Sequence, residues 1–534
     1  MPTGVPTARA TLSRRWRWYA MLAVVLAIGA AYRFPGVSWG FDVSTAPFST
    51  AHPDEEVTCL GAMMRGVPEM KGNDTPTERG MMFQCLVLGL VFKPHDIASS
   101  ARIGRAYSVV WGLIAILLTA LITRRVKGEV AAIFAALLLS TSGINLITSF
   151  WARGQIQTVG LSLASMLAAL HVRAAKDRGV VPLFVASALA GAAIAHRWNV
   201  ALVPMLLAVA IAHGPVFTRL AAGGAGGLFG FFGCTGFFWT PDMIVSNLEM
   251  QTHNLVSLYS RLNPFVIGCA AVVCILVATG LVTFLLAIWF GVGWLRRLRT
   301  LHLDDLAWSS LRSKLDSPGV IIGLPTAITF VMLCFNNLFD ARYTDLFAPP
   351  LAIAAGIQMA ALWSKTRWRV VVAALVAYQG VYAASMLVRY TNDSRKGMST
   401  ALEKVWQPRG PIIVTPYAGD SPLYAGHGLR PGQGPWDAEW IVISDVYAGQ
   451  YVTPSGTFSF LTQPTSCREV LYCDGERQRD LFQKVYARDG WDQIYVSKAA
   501  AWTPEIKLHH ALMTSKWMFS GDIRLFHKRT PSGH

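Results

Sequence analysis

Apolar positions along this chain form long unbroken runs instead of the alternating or one-faced patterns of a soluble protein. Eleven runs stand out: 16–32, 101–122, 129–147, 155–174, 180–196, 199–213, 219–239, 265–290, 319–336, 344–363 and 368–388. A helix needs roughly 17 to 25 apolar residues to cross the hydrocarbon layer, so the pattern predicts an all-α polytopic membrane domain of about 11 transmembrane helices. The run at 199–213 is short and reads equally as re-entrant. After residue 389 the pattern changes. A helical spacing over 394–406 places Met398, Ala401, Leu402, Val405 and Trp406 on one face. Extended runs follow at 411–415, 439–444, 493–497 and 522–527, with a Gly/Pro-rich stretch at 418–437 that reads as loop. The expected division is a membrane domain over 1–389, with a long loop at 33–100, and a soluble α/β or α+β domain over 390–534. The chain shows no internal repeat.

Composition agrees with this class. Of 534 residues, 53% are hydrophobic and 15% charged, and mean hydropathy is +0.39; soluble domains average about 25% charged. The net charge of +16 has a topological origin. Counted from a cytoplasmic N-terminus, the inside stretches 1–18, 123–129, 171–179, 213–219, 291–318 and 364–369 hold nineteen Lys/Arg against five Asp/Glu, a net of +14. This is the positive-inside bias, and no nucleic-acid partner is needed to explain it. A cleaved signal peptide is the alternative for the first run, which follows Arg14, Arg15 and Arg17; the charge pattern requires an odd number of spans and favours a retained helix. The stretches at 33–100, 148–154, near 197, 240–264, 337–343 and beyond 389 then face outward. A bacterial inner membrane with an extracytoplasmic C-terminal domain is the expected setting.

The eight cysteines divide by the same topology. Cys234, Cys269, Cys274 and Cys334 lie in apolar runs and read as small core residues. Cys59 with Cys85, and Cys467 with Cys473, lie in outward segments where disulfides form. None has zinc-ligand spacing. His95 and His196 read as structural imidazoles, the eighteen tryptophans as interfacial belts, and the glycines from Gly223 to Gly230 as a site of close helix packing.

The segment with chemical promise is His52-Pro53-Asp54-Glu55-Glu56-Val57. Pro53 suits the first position of a helix, so a short interfacial helix is expected over 54–66, with Asp54 and Glu55 in its first turn. Free N–H groups and the helix dipole favour anions there. A carboxylate held ionised can accept a proton from a hydroxyl; equally, acids are common in first turns simply as helix starters. On spacing alone the two readings are even.

Other stretches bring in a family. His52-Pro53-Asp54-Glu55, followed by the span that opens at Ala101-Arg-Ile-Gly-Arg105 and ends at Arg124-Arg-Val-Lys-Gly128, resembles the acidic loop and second span of GT-C glycosyltransferases. These are polyprenyl-phosphate-dependent enzymes that include the protein O-mannosyltransferases and the lipid A aminoarabinose transferase. Ser149-Phe-Trp-Ala-Arg-Gly-Gln-Ile-Gln157 is similar to the family's Ser-His-Tyr-Ala-x-x-Asp-x-Pro stretch, and Gly191-Ala-Ala-Ile-Ala-His-Arg-Trp198 to its Gly-x-Ala-x-x-x-Lys-Tyr stretch. Phe339-Asp-Ala-Arg-Tyr343 with Pro349-Pro350 resembles its Arg-Tyr-x-x-Pro signature. Asn392-Asp-Ser-Arg395, with Trp406, resembles its exit from the last span.

The resemblance implies a GT-C fold with Asp54 as catalytic base and Glu55 in support. It implies Arg102, Arg105, Arg197 and Arg342 as ligands of the donor phosphate, and His52, Gln155, Trp198 and Tyr343 shaping the substrate site. Interfacial snorkelling or local pairing is the competing account of each arginine; Trp151, Trp198 and Trp239 read as belt residues, with sugar stacking as the alternative. The implied partners are a polyprenyl-phosphate-linked sugar and an acceptor protein, glycan or lipid. Two positions depart from the pattern. Arg197 replaces a Lys, which keeps the charge and adds bidentate geometry. Gln155 stands where relatives carry a second acid, which puts divalent-metal use in doubt, so no cofactor is required. A catalytically silent binding protein of this fold also fits Gln155. A transporter or flippase would show inverted repeats or midplane charges, and the sequence shows neither.

Overall fold

The computed structural model describes residues 8–39, 55, 59–66, 79–174, 180–196, 202–212, 214–236, 263–298, 318–334, 341–405, 410–415, 418, 428–431, 433–449, 451–453, 457–459, 463–467, 475–499, 505–507 and 521–529. Helices run over α1 (Ala8–Arg33), α2 (Gly61–Arg65), α3 (Arg79–Phe92), α4 (Ile97–Lys127), α5 (Glu129–Ser140), α6 (Gly143–Thr148), α7 (Gln155–Ala174), α8 (Val180–His196), α9 (Leu202–Ile211) and α10 (Val216–Cys234). They continue with α11 (Pro264–Thr279), α12 (Leu281–Leu298), α13 (Pro318–Cys334), α14 (Ala348–Trp363) and α15 (Arg369–Thr391). Among the described residues, five segments are long and apolar enough to cross a membrane: Trp16–Ser38, Ile97–Lys127, Gln155–Val172, Tyr343–Trp363 and Thr366–Val405.

Local chemistry sets the boundaries of these helices. Asp96 caps α4 by accepting the Ser99 N–H at 2.7 Å, and the Ser99 hydroxyl closes the capping box. At the other end Gly128 takes φ +87°, a conformation that costs a residue without a side chain little, and the chain turns directly into α5. The glycines of α8 and α10 behave as the sequence predicts. A β-carbon added at Gly191, Gly226 or Gly230 would overlap backbone of the facing helix, so the two helices meet with nothing between them.

Three expectations change in this part of the chain. The run at 265–290 is not one helix: it breaks at Gly280 (φ +88°) into α11 and α12. The break frees the Thr279 carbonyl, which accepts the Gln379 Nε2–H at 2.8 Å, and Gln379 fills the space a β-carbon at Gly280 would need. The stretch at 199–213 yields only the ten-residue α9, about 15 Å long at 1.5 Å per residue. Inside the loop 33–100 lies a further apolar helix, α3, whose 14 residues fall below the length of a span.

The C-terminal region matches its pattern. Helix α16 (Ser394–Val405) leads into β1 (Ile412–Val414) and β2 (Trp440–Ser444), then α17 (Asp445–Ala448), β3 (Thr457–Ser459), α18 (Glu476–Ala487), β4 (Trp491–Ser497), β5 (Glu505–Lys507) and β6 (Ile523–Lys528). The main sheet has the order β1-β2-β6-β4, with β1 parallel to β2 and the other pairs antiparallel. β3 and β5 form a separate parallel pair. One sheet face packs on α18 through Ile441, Ile443, Leu481, Phe482, Val485 and Phe526. The other packs on α16 through Met398, Leu402, Val442 and Leu525. The alternation along β2 is the period of two that a strand imposes.

Candidate functional site

The stretch 148–154, expected to face outward, is enclosed by the protein. Every residue from Thr141 to Gly160 is buried. The α5 helix ends at Ser140, α6 makes a turn and a half, and a short irregular path leads into α7. Small and polar residues gave this stretch the look of a loop; they serve to let other chain segments close on it. Gly154 has the His196 carbonyl oxygen 2.9 Å from where its β-carbon would stand, and Gly143 faces the Tyr382 ring. We call this buried stretch the hub.

Two ionic brackets hold distant segments to the hub. In the first, Glu55 and Arg105 are both 0% exposed and form a bidentate pair, Nε to Oε1 at 2.9 Å and Nη2 to Oε2 at 2.7 Å. Glu55 Oε1 also accepts the Ala152 N–H at 2.8 Å, and Arg105 Nη1 donates to the carbonyls of Val37 and Trp39. One guanidinium thus joins the end of the first helical segment, the acidic motif and the hub. In the second bracket Arg33, also fully buried, donates to the Ser140 carbonyl, Ser149 Oγ and Asn145 Oδ1 at 3.0, 3.2 and 2.6 Å. Asn145 Nδ2 and Thr148 Oγ1 then donate to the Asp345 carboxylate at 3.2 and 2.6 Å. Asn145 therefore links a buried cation to a buried anion through its two amide atoms.

These contacts alter several expectations. Arg105, expected as a donor-phosphate ligand, donates through Nε, Nη1 and Nη2 to partners inside the protein. Glu55 is likewise saturated by Arg105 and Ala152, and it fixes the backbone position next to Asp54. In the segment after the motif Cys59, Leu60 and Ala62 are at most 2% exposed, while Met64 and Arg65 are exposed. The segment is tied to α3 by the Cys59–Cys85 disulfide and packs there with Met63, Met81, Met82 and Leu86. This pairing is the one expected. Cys467 is also disulfide-bonded, while Cys473 lies outside the described residues.

His52, Asp54, Arg197 and Trp198 lie outside the described residues, as does the side chain of Arg342. Arg102 is exposed near the start of α4, and Tyr343 is half-buried in the 3-10 turn Ala341–Phe347. His196 ends α8 with Nδ1 2.8 Å from the Ala192 carbonyl oxygen, and the Cys234 sulfur lies 3.7 Å from the same nitrogen. Among the described residues no group of three or more His, Cys, Asp or Glu side chains is placed to hold a metal ion.

Sequence reasoning missed Arg33 and Asp345. The rule that ionisable residues within spans are rare and purposeful points at Arg33, the last residue of its helix, and Asp345 sits two residues past the Arg342-Tyr343 motif. Trp39 links the hub to the exit of the last span. Its ring lies 5.8 Å from the Arg105 guanidinium and 5.3 Å from that of Arg395, and packs edge-to-face with Tyr390 at 4.6 Å between ring centroids. Arg395 in turn pairs with Asp393, so the Asn392-to-Arg395 stretch is brought against the acidic motif's anchor.

The chain matches no family model and no curated protein. Its fold is similar to solved membrane-protein structures over most of its length. One is the oligosaccharyltransferase AglB from Archaeoglobus fulgidus in complex with an inhibitory peptide and a dolichol-phosphate, at 11% identity and a TM-score of 0.49, covering 96% of this chain and 89% of that one. Another is ArnT from Cupriavidus metallidurans bound to undecaprenyl phosphate, at 14% identity and a TM-score of 0.47, covering 83% and 96%. At these values the likeness describes the arrangement of the chain and assigns no residue a role.

Proposed function

We propose that this chain is a membrane-embedded glycosyltransferase that moves a sugar from a polyprenyl-phosphate carrier to an acceptor hydroxyl at the extracytoplasmic face. The observation that carries the reading is the locked position of Glu55. A saturated, fully buried carboxylate between Arg105 and the hub is an anchor, and it fixes where the chain next to Asp54 runs. An expensive buried ion pair is retained where it positions something. The motif order implies that the thing positioned is Asp54.

In this mechanism the acceptor O–H gives its proton to the Asp54 carboxylate as its oxygen attacks the anomeric carbon. The bond between that carbon and the phosphate oxygen breaks on the opposite side, which inverts the configuration. The leaving polyprenyl phosphate keeps the electron pair, and Arg197, Arg342 and the exposed Arg102 offset its charge. Arg33 and Asp345 hold the hub so that the stretch from Ser149 to Gln155 lines the reacting groups. Purified protein in lipid nanodiscs, given lipid-linked sugars extracted from its own membrane, is expected to release free polyprenyl phosphate and a glycosylated acceptor. Absence of both products with every donor fraction defeats the reading and leaves a silent lipid- or glycan-binding protein.

A further inference from the structure

Gln155 is the first residue of α7 and is 4% exposed, yet neither Nε2 nor Oε1 makes a hydrogen bond. Buried side-chain amides almost always find at least one partner; nearby Asn145 and Gln157 each do, although Gln157 Oε1 has none. Asn145 uses both amide atoms, Gln157 Nε2 donates to Ser108 Oγ at 3.2 Å, and Thr158 Oγ1 donates to the Gly154 carbonyl at 2.8 Å. The preceding residue, Gly154, packs so closely on the His196 backbone that a β-carbon there would not fit. Farther along the same helix, Val159, Ser162, Leu163 and Met166 line a small, partly open crevice opposite Pro325 and Phe347. Ser162 Oγ is also buried without a partner. The unsatisfied Gln155 amide thus lies three residues past the Ala152 N–H that holds Glu55.

The chemistry of that amide narrows its ligand. Nε2 donates, Oε1 accepts, and the group carries no charge. Its complement is a neutral ligand that presents an acceptor and a donor side by side. Two neighbouring hydroxyls of a sugar do so. An ammonium group or a divalent ion would meet only one neutral oxygen from this residue and stay uncompensated. We infer that Gln155 is a specificity-determining residue that reads an adjacent hydroxyl pair on an uncharged sugar, so that the transferred group is a neutral sugar and not an amino sugar. This rests on the glycosyl-transfer reading above.

The test compares wild type, Gln155→Met and Gln155→Glu in nanodiscs, with polyprenyl-phosphate donors carrying neutral pentoses or hexoses or a 4-amino sugar. Methionine removes the unsatisfied amide at similar volume. The empty protein should then melt higher, by about 2–4 °C, while kcat/KM for the neutral sugar falls about 10–100-fold, chiefly through KM. Glutamate keeps the shape but loses the donor, so it should depress neutral-sugar transfer and raise the relative rate of the amino sugar. A lower melting temperature for Gln155→Met, unchanged kcat/KM, or a wild-type preference for the amino sugar overturns the inference. If wild type transfers no sugar, the glycosyltransferase reading fails and the inference falls with it; if wild type and Gln155→Met transfer equally, the inference alone fails.

Discussion

Two regions of this chain bury a bidentate carboxylate–guanidinium pair. In the C-terminal domain Arg524 grips Asp445 at 2.8 and 2.9 Å, and the Tyr486 hydroxyl and Gln493 complete the cluster. In the membrane domain Arg105 grips Glu55 in the same fork. The C-terminal pair joins neighbouring sheet and helix elements, and its polar atoms serve one another. The membrane pair joins chain segments about fifty and one hundred residues apart, and beside it lies an amide with no partner. A saturated ion pair marks a scaffold in both places. The two regions differ in what lies beside the pair: a satisfied cluster in one, a buried amide without a hydrogen bond in the other.

The sharpest way to break this comparison is to remove the two arginines in turn. Either Arg105→Ala or Arg524→Ala abandons a buried carboxylate and should cost about 3–5 kcal/mol of stability, read by thermal unfolding in detergent. Only Arg105→Ala should also abolish transfer in the protein that remains folded, because only that pair holds the acidic motif. A smaller effect is expected from the Cys59–Cys85 bridge, which spans 26 residues. The double Cys59→Ser, Cys85→Ser variant should lose about 2–4 kcal/mol, and comparison of its transfer rate with wild type below the melting transition shows whether the bridge serves the motif or only the fold.

The smallest effect belongs to Tyr486, which hydrogen-bonds Asp445 in the C-terminal cluster. Burial, then the neighbouring Asp445 charge and its hydrogen bond, raise the Tyr486 phenol well above its ordinary value of 10. A group whose pKa is raised on folding contributes stability that is complete below the unfolded value and lost as pH rises beyond it. Unfolding followed between pH 9 and 11 should show the C-terminal transition weakening above pH 10, and Tyr486→Phe should flatten that dependence. Equal slopes for the two proteins contradict this account of the cluster.

The sequence made the periodic elements readable and left their closest contacts hidden. The apolar runs, the helix after residue 394 and the four strands of the main sheet all follow from spacing that a helix or strand repeats locally. Gly280 breaks a run that hydropathy alone scores as continuous, and α3 is too short for a span criterion. Helix α18 was overlooked because Leu481, Phe482 and Val485 form a narrow stripe in a charged stretch. The hub escaped for a different reason: Ser149, Ala152 and Gly154 have loop-like chemistry, and their burial depends on partners far along the chain. Nothing local in Arg105 shows that its partner is Glu55. Gln155 was legible as a departure from a family pattern, but the absence of any partner for it is a property of the fold alone.

The most direct test of the central claim is the rate of sugar release from a lipid-linked donor by Asp54→Asn beside wild type, at matched amounts of folded protein. Loss of a positioned base predicts a fall of about 10²–10⁴-fold with the melting temperature unchanged. An Asp54→Asn protein that releases sugar at the wild-type rate contradicts the account.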